Sequence, residues 1–366
     1  MKIARFLGLG LLVSAVGAGG AFAFHDGGVA DCAGCHTMHN SQDGAPVDTA
    51  HVNGNQYLLI AANSTDACLS CHAGYGQFAG GLGYGPGGDF YWVTKDFSWS
   101  AHGHTTVSTG DSHGHNVISP TYGIAQDATL TMAPGGTYTS SKLTCTSCHD
   151  PHGNQNFRIL YDASLGPIYT GGRFNFTADA PVAKGNGRKT MTSDGEETDS
   201  HHTVYKSGMS EWCANCHTNI HSGNTVAYVH ETGISLDQDI ADIYNAYVSS
   251  DDLVNGVQAT AYWGLVPFED VDADLATVDP GNYTRGPDAA DQVMCLSCHR
   301  AHASAFPDIA RWDTGTTFLV ESHPTTGDVG ASADDIANKY YNYSFVTNQR
   351  SLCNKCHGKD AGDAPF

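Results

Sequence analysis

The chain has 366 residues, of which 40% are apolar and only 15% are charged. Disordered tails and coiled coils carry far more charge, so both classes are excluded. Acidic residues outnumber basic residues by 38 to 17, a formal net charge of −21, which argues against a nucleic-acid partner because phosphate contacts need Lys and Arg. Glycine occupies 43 positions, about 12% against a usual share of roughly 7%, which predicts a backbone rich in turns and loops.

Residues 1–23 have the pattern of a secretory signal peptide. Lys2 and Arg5 precede an apolar run from Phe6 to Val16, and Ala21-Phe22-Ala23 supplies a small-x-small cleavage site. The apolar run is well short of the roughly 20 residues that a membrane span needs. We therefore expect an exported mature chain that extends from residue 24 to residue 366.

The cysteines of the mature chain follow one repeated pattern. All twelve fall in C-x-x-C pairs, namely Cys32/Cys35, Cys68/Cys71, Cys145/Cys148, Cys213/Cys216, Cys295/Cys298 and Cys353/Cys356. Each pair is followed directly by a histidine: His36, His72, His149, His217, His299 and His357. Disulfides and zinc sites do not require a histidine at this position, and redox dithiols would not consume every cysteine. The C-x-x-C-H pattern indicates covalent attachment of c-type haem.

The spacing of the residues in this motif is set by the geometry of haem attachment. Two thiols three residues apart can form thioethers to the vinyl groups on one edge of a porphyrin, and the adjacent histidine then ligates the iron from one face. The sequence therefore predicts six covalently bound haem c groups. Their apolar faces replace part of the side-chain core that a chain of this size would otherwise need.

The supply of histidines favours irons that are ligated on both faces. Twenty histidines minus six proximal ones leave fourteen for six distal positions. Methionine is the other common distal ligand, although the candidates are better explained as packing residues: Met38, Met132, Met191, Met209 and Met294. An iron closed on both faces has no position for substrate, so the pattern argues against an enzyme.

Four motifs continue to a further histidine. His39, His152 and His302 follow their proximal histidines by three residues, and His221 follows its own by four. A residue one helical turn from the proximal ligand cannot reach the opposite face of the same haem, so it is placed to reach a different haem nearby. The alternative is a solvated or propionate-bonding histidine. The arrangement predicts haems packed in contact, as electron hopping requires.

The other histidines are less decisive. His102, His104, His113 and His115 form a cluster that either binds a surface metal or supplies one distal ligand. His201 and His202 lie between polar residues and are expected to be solvated. The remaining four have no supporting motif: His25, His51, His230 and His323.

The segments around the motifs resemble the extracellular filament-forming multihaem c-type cytochromes. The similarity begins at 24–30, continues into 32–41, covers all six motifs in order and ends near residue 360. Other similar segments are 87–90, 133–138, 145–153, 209–221, 267–269, 295–304 and 352–357. The loops between these segments match poorly and are shorter in this chain.

The resemblance implies a haem-packed protomer that polymerises into a conductive filament, with haems alternating between parallel-stacked and T-shaped neighbours. It also implies that His39 ligates a haem of the neighbouring protomer. The positions that match the family's non-proximal histidines are His25, His39, His115, His152, His221, His230 and His302. Seven candidates for six distal positions leave one spare.

We therefore predict a mostly irregular fold with short α-helices and few strands, wrapped around a haem chain as one unit over 24–366. The intervals between motif starts are 36, 77, 68, 82 and 58 residues, too irregular for tandem haem modules. Helical spacing predicts short amphipathic helices around 236–247 and over 334–341. The glycine-rich stretch 75–90 lacks the lysine of a phosphate loop and is predicted to be a packing loop.

The function predicted from these observations is electron transport, not catalysis. The protein would be secreted through the periplasm to the outer surface or the medium, and would carry electrons to external acceptors such as metal oxides. One alternative is a monomeric periplasmic or surface electron shuttle with the same closed haems. A second alternative, a multihaem oxyanion reductase, would need an open iron, of which the sequence gives no sign.

Overall fold

The computed structural model describes residues 32–73, 85–166, 168, 174–186, 197–221, 230–341 and 343–358. In this part of the protein the backbone is mostly irregular, with short helices and three two-stranded sheets. This architecture confirms the predicted fold class. The predicted signal peptide, His25, Met191 and residues 75–84 of the predicted packing loop lie outside the described residues.

Most of the α-helices adjoin a C-x-x-C-H motif. They are α1 (Ser64–His72), α2 (Met209–Cys213), α3 (Thr218–His221), α4 (Asp237–Ala246), α5 (Cys295–Cys298), α6 (Ala333–Asn338) and α7 (Asn354–His357). Short 3-10 turns lie between them, at Cys32–Gly34, Gln56–Leu58, Phe90–Thr94, Gly110–His113, Pro120–Tyr122, Ser140–Lys142, Cys145–Ser147, Phe157–Ile159, Gln258–Thr260, Pro307–Ile309 and Leu319–Glu321. None of the helices within the described ranges has the length and hydrophobicity needed to cross a membrane.

The strands form three separate antiparallel pairs. These are β1 (Ser41–Gln42) with β2 (Ala45–Pro46), β3 (Phe97–Ala101) with β4 (His104–Ser108), and β5 (Val182–Lys184) with β6 (Val204–Ser207). The β3–β4 hairpin turns through His102 and Gly103, whose φ angles of 50° and 81° are those of a two-residue hairpin turn. The third pair contains a register shift between Val182 and Ala183.

The main hydrophobic core joins side chains that are far apart in the sequence. Its fully buried members include Trp92, Phe97, Tyr244, Leu265, Phe306, Trp312, Leu319 and Leu352. Two smaller clusters pack around Met209 with Met294, and around Tyr138 with Phe176. Met209 and Met294 are therefore packing residues, while Met38 and Met132 are exposed.

Both predicted amphipathic helices are present. Helix α4 buries Ala241 and Tyr244 on one face, and the flanking Leu236 and Tyr247 are also buried. Helix α6 begins with the side chain of Ser332 accepting a hydrogen bond from the Asp335 backbone N–H, as expected for a helix N-cap. It ends earlier than predicted, at Asn338, and Tyr341 has a left-handed φ of 50°.

Candidate haem-binding sites

Each C-x-x-C-H motif forms a single helical turn. In five motifs the backbone N–H of the histidine donates to the carbonyl of the first cysteine at 2.8 to 3.1 Å: His36, His149, His217, His299 and His357. The second motif forms the last turns of α1, whose first turn is capped by Asn63. A helical turn places both thiols and the imidazole on one side of the backbone, which is what attachment to one porphyrin requires.

The thiols of successive motifs lie next to one another. Cys68 hydrogen-bonds with Cys145, and Cys213 with Cys295. The other steps are marked by electrostatic coupling, which adds to burial in raising the thiol pKa: Cys35 by Cys68, Cys148 by Cys216 and Cys298 by Cys353. None of the twelve cysteines, all of which are described, forms a disulfide. The six motifs thus form one row in chain order, in which steps with a hydrogen bond between thiols alternate with steps that show only an electrostatic interaction.

Four pairs of imidazoles face each other across a gap. The ring centroids are 6.4 Å apart for His36–His152, 6.3 Å for His149–His302, and 6.1 Å for both His115–His217 and His230–His357. Two imidazoles that bind one metal from opposite faces have centroids about 6.4 Å apart, because the metal–nitrogen bond is about 2.0 Å and the nitrogen lies about 1.2 Å from the centroid. These gaps fit an iron. Each pair joins one proximal histidine to one of the seven distal candidates.

Hydrogen bonds orient these rings for metal binding. The Nδ1 atoms of His36, His149, His217 and His299 lie 2.7 to 2.9 Å from backbone carbonyls. On the distal side, His115 Nδ1 is 2.7 Å from the Ala301 carbonyl. A ring that donates from Nδ1 keeps the Nε2 lone pair for a metal. Burial lowers the pKa of His115 to about 4 and that of His302 to about 3, so both are held in the neutral form that binds iron.

Three of the motifs share a turn that the sequence did not predict. Two successive residues with left-handed φ angles of 49° to 58° follow the first, third and fifth motifs: Tyr57-Leu58, Arg158-Ile159 and Asp308-Ile309. The carbonyl of the first residue of each turn accepts from the proximal histidine's Nδ1. Such φ angles are strained for bulky residues. The odd-numbered motifs therefore share one local structure, and each is also followed by a histidine three residues on.

The remaining candidates have different surroundings. Among the described residues, no imidazole faces His39 or His299, and both side chains are exposed. His221 lies at the end of α3, where its Nε2 is 3.9 Å from the Glu211 carboxylate and its Nδ1 is 3.3 Å from the Thr232 hydroxyl. His72 ends α1.

Comparison with known proteins identifies the family. The C-type cytochrome OmcS of Geobacter sulfurreducens is 36% identical to this chain over 420 aligned positions, which cover 93% of this chain and 95% of OmcS. This chain belongs to the OmcS family of c-type cytochromes. A cryo-EM structure of the OmcS nanowires superposes with a TM-score of 0.78 at 34% identity, and an outer membrane cytochrome S filament from the same organism with 0.74 at 33%. Both matches cover 92% of this chain and 100% of the solved chain. A scan against protein-family models finds no match.

Membership in the OmcS family confirms the resemblance drawn from the sequence. It identifies the chain as a c-type cytochrome, an electron-transfer protein that carries covalently bound haem. The cysteine and histidine geometry described above fits that group, since thiols, proximal imidazoles and facing imidazoles lie where haem c would need them.

The histidines outside the OmcS-like set have structural roles or are exposed. His113 is buried between the Ser108 hydroxyl and the Trp92 carbonyl. The expected solvation of His201 and His202 is wrong. The His202 ring is buried and stacks on Tyr262 with the centroids 3.4 Å apart, and the His201 Nε2 atom is buried with no partner among the described residues. His102 and His104 are exposed. In the ranges described, no group of three or more His, Cys, Asp or Glu side chains forms a metal site.

One buried carboxyl near the fourth and fifth motifs has an unusual pKa. Glu269 is 1% exposed; its Oε1 accepts a hydrogen bond from the Met209 backbone N–H at 2.8 Å, and its Oε2 has no partner among the described residues. Burial, aided by the Glu211 carboxylate, raises the pKa of Glu269 to about 7. The proton is therefore held more tightly in the folded state than in the unfolded chain.

We predict that Glu269→Gln removes a pH-dependent loss of stability. A raised carboxyl pKa gives stability that is complete below about pH 4.5 and is lost as pH rises to about 7, up to roughly 3 kcal/mol. The variant should therefore have a higher denaturant midpoint than the wild type at pH 8 and an equal one near pH 4.5. The exposed Glu321→Gln serves as the control. A difference that does not vary with pH would contradict this prediction.

Proposed function

We propose that this protein is a hexahaem cytochrome that assembles into an extracellular filament and conducts electrons to external acceptors such as metal oxides. The observation that carries the proposal is the single row of six motifs in chain order, in which four gaps between imidazoles fit an iron. The relatives of known structure are described as nanowires and filaments. Export through the periplasm, by way of a signal peptide at 1–23, is part of the proposal.

Each motif would hold one haem c, six in all. The attachment residues would be Cys32, Cys35, Cys68, Cys71, Cys145, Cys148, Cys213, Cys216, Cys295, Cys298, Cys353 and Cys356. The proximal ligands would be His36, His72, His149, His217, His299 and His357. The bound group supplies an iron that takes up and releases single electrons. The chain would hold each group in place through its thiols, its carbonyls would fix four of the six proximal imidazoles through Nδ1, and a distal histidine at each iron would leave no open position for substrate.

The distal ligands of the odd-numbered motifs follow one rule. His152 of the third motif faces His36 of the first, and His302 of the fifth faces His149 of the third. Each odd motif thus receives its distal ligand from two motifs further along. The fifth motif has no such successor in its own chain. Continuing the rule into a second copy gives His39 of the neighbouring protomer as the distal ligand opposite His299.

The even-numbered motifs follow a second rule. His115 faces His217 of the fourth motif and precedes the third motif; His230 faces His357 of the sixth motif and precedes the fifth. Each of these ligands thus lies in the sequence before an odd-numbered motif, and it serves the haem of the even-numbered motif that comes next. For the second motif this position belongs to His25, which we assign opposite His72. His221 is then the spare candidate, and its imidazole already contacts Glu211 and Thr232.

Electron microscopy and spectroscopy of the purified protein test this function. We expect filaments in which all six irons are low-spin and six-coordinate, measured by electron paramagnetic resonance and optical spectra of the oxidised form. Reduced filaments should not bind carbon monoxide without denaturation. Monomers with the same spectra would favour the shuttle, and a substantial high-spin fraction in assembled protein would favour the reductase.

A further inference from the structure

We propose that the joint between protomers copies a joint inside the chain, and that His230 of one protomer binds the backbone of Met38 and His39 of the next. The inference rests on the proposed filament and adds a contact surface to it. The partner is a second copy of this chain.

The joint inside the chain is the contact between residues 114–115 and 301–303. It binds one distal histidine, His115, to the segment that carries a second distal histidine, His302. His115 Nδ1 donates to the Ala301 carbonyl at 2.7 Å, and the His115 backbone N–H donates to the His302 carbonyl at 2.9 Å. Gly114 and Ala303 form an antiparallel bridge beside these bonds. Because His115 faces the fourth motif and His302 the third, this joint fixes two neighbouring iron sites relative to each other.

The two halves of an equivalent joint are present elsewhere in the chain. His230 corresponds to His115, since each faces the proximal histidine of an even motif. Met38 and His39 correspond to Ala301 and His302, because both pairs follow an odd proximal histidine by two and three residues. The odd motifs also share the left-handed turn, so the local backbones are alike.

Within one chain these two halves do not meet. His230 is exposed, and its Nδ1 donates to the carbonyl of its own neighbour Glu231 at 2.8 Å. Met38 is 77% exposed, and His39 is exposed. Among the described residues, no hydrogen bond uses the His230 backbone N–H or the carbonyls of Met38 and His39. Within the described residues, the His230 backbone N–H and the carbonyls of Met38 and His39 are therefore free, and the His230 Nδ1–H is bonded only to its own segment.

Assembly would complete the joint. The His230 Nδ1–H would move from the Glu231 carbonyl to the Met38 carbonyl of the neighbouring protomer, and the His230 backbone N–H would donate to the His39 carbonyl there. The same neighbour would place its His39 imidazole opposite His299. The distal ligands of the fifth and sixth sites would then be hydrogen-bonded to each other's segments across the protomer boundary. The distal ligands of the third and fourth sites are bonded in the same way within the chain.

Hydrogen exchange with single-amide resolution tests the contact. We compare wild-type filaments with His39→Ala protein, which we expect not to assemble. The His230 amide should exchange about tenfold more slowly, or slower still, in filaments, as amides do when a hydrogen bond becomes buried. The His115 amide should be protected equally in both samples. Filaments whose His230 amide exchanges as fast as in the variant would overturn the inference and leave the proposed function standing.

Photocrosslinking provides a second readout. Filaments with p-benzoylphenylalanine in place of Met38 should give dimeric adducts that map to residues 230–232 of the neighbour. The same group in place of Val52, which is 70% exposed, should not give adducts there. Adducts from position 38 that map elsewhere would contradict the proposed contact. Failure of the wild-type protein to form filaments would instead contradict the proposed function.

Discussion

Replacing His39 with Ala is expected to yield exported protomers that carry six attached haems but do not form filaments. One iron in six should become high-spin, because the site of His299 would lose the imidazole that the neighbouring protomer supplies. Negative-stain electron microscopy and electron paramagnetic resonance of the purified variant measure both effects. The expected change is complete loss of filaments, the largest effect among the variants considered.

The physical reason is that assembly and coordination would be one reaction. His299 is exposed, its Nδ1 is fixed by the Asp308 carbonyl at 2.7 Å, and in the described residues nothing fills its distal side with an imidazole. His39 is exposed on the other side of the joint. A misplaced subunit would leave an iron open, so ligation would also keep successive protomers in register.

Two matched histidine variants separate this role from general effects of losing an imidazole. His152→Ala should also open one iron per chain, that of His36, but inside the protomer, so filaments should persist. His221→Ala should keep both filaments and six low-spin irons. Added imidazole should return His39→Ala to the low-spin state without restoring filaments. Normal filaments of His39→Ala with six low-spin irons would show that His39 does not join the subunits.

The sequence predicted the family, the irregular fold and helix α4 because these depend on local signals. The C-x-x-C-H spacing is fixed by the chemistry of one porphyrin, and the apolar positions of α4 recur with helical period. Because the chain has little regular secondary structure, its sequence contains few other periodic patterns from which elements can be predicted. These features need no knowledge of what lies across the molecule.

The relation between motifs could not be predicted, because it depends on contacts between distant segments. His302 faces His149 across 153 residues of sequence, and no spacing rule connects them. The left-handed turns at Tyr57 and Arg158 carry none of the Gly, Asn or Asp that usually marks such a conformation, and the turn at Asp308 continues into a β-branched Ile309. His202 has polar sequence neighbours, yet it stacks on Tyr262. The sequence intervals between successive motifs are irregular, so they do not indicate that the local structure repeats at every second motif.

The second large effect concerns a buried charge cluster that holds the fifth motif. Arg311 is 1% exposed; its Nε donates to the carbonyls of Leu296 and His299 at 2.6 and 3.0 Å. Its Nη1 donates both to the Gly264 carbonyl and to the Glu197 carboxylate, at 3.0 and 3.3 Å. Arg311 therefore connects the backbone around a proximal histidine with two distant segments.

Replacing Arg311 with Met should lower the free energy of unfolding by about 3–5 kcal/mol, because the buried carbonyls of Leu296, His299 and Gly264 lose a charged hydrogen-bond donor. Among the described residues, Glu197 would keep Arg300 as its ion-pair partner, with the Arg300 Nη1 atom 3.9 Å away. The loss should appear as a lower guanidinium midpoint for the Soret band, measured in the His39→Ala background so that assembly does not contribute.

Two further variants show whether the lost stability comes from the buried charge. Arg311→Met combined with Glu197→Gln also leaves Arg300 buried without its carboxylate, so this variant should unfold at a still lower midpoint. Arg158→Met changes an exposed guanidinium that lies 5.3 Å from the Phe157 ring and should cost about 1 kcal/mol or less. If the double variant instead recovers part of the loss, the penalty comes from the Glu197 carboxylate. A midpoint at or below that of Arg311→Met assigns the loss to the backbone hydrogen bonds of Arg311, which bind the fifth motif to the rest of the fold.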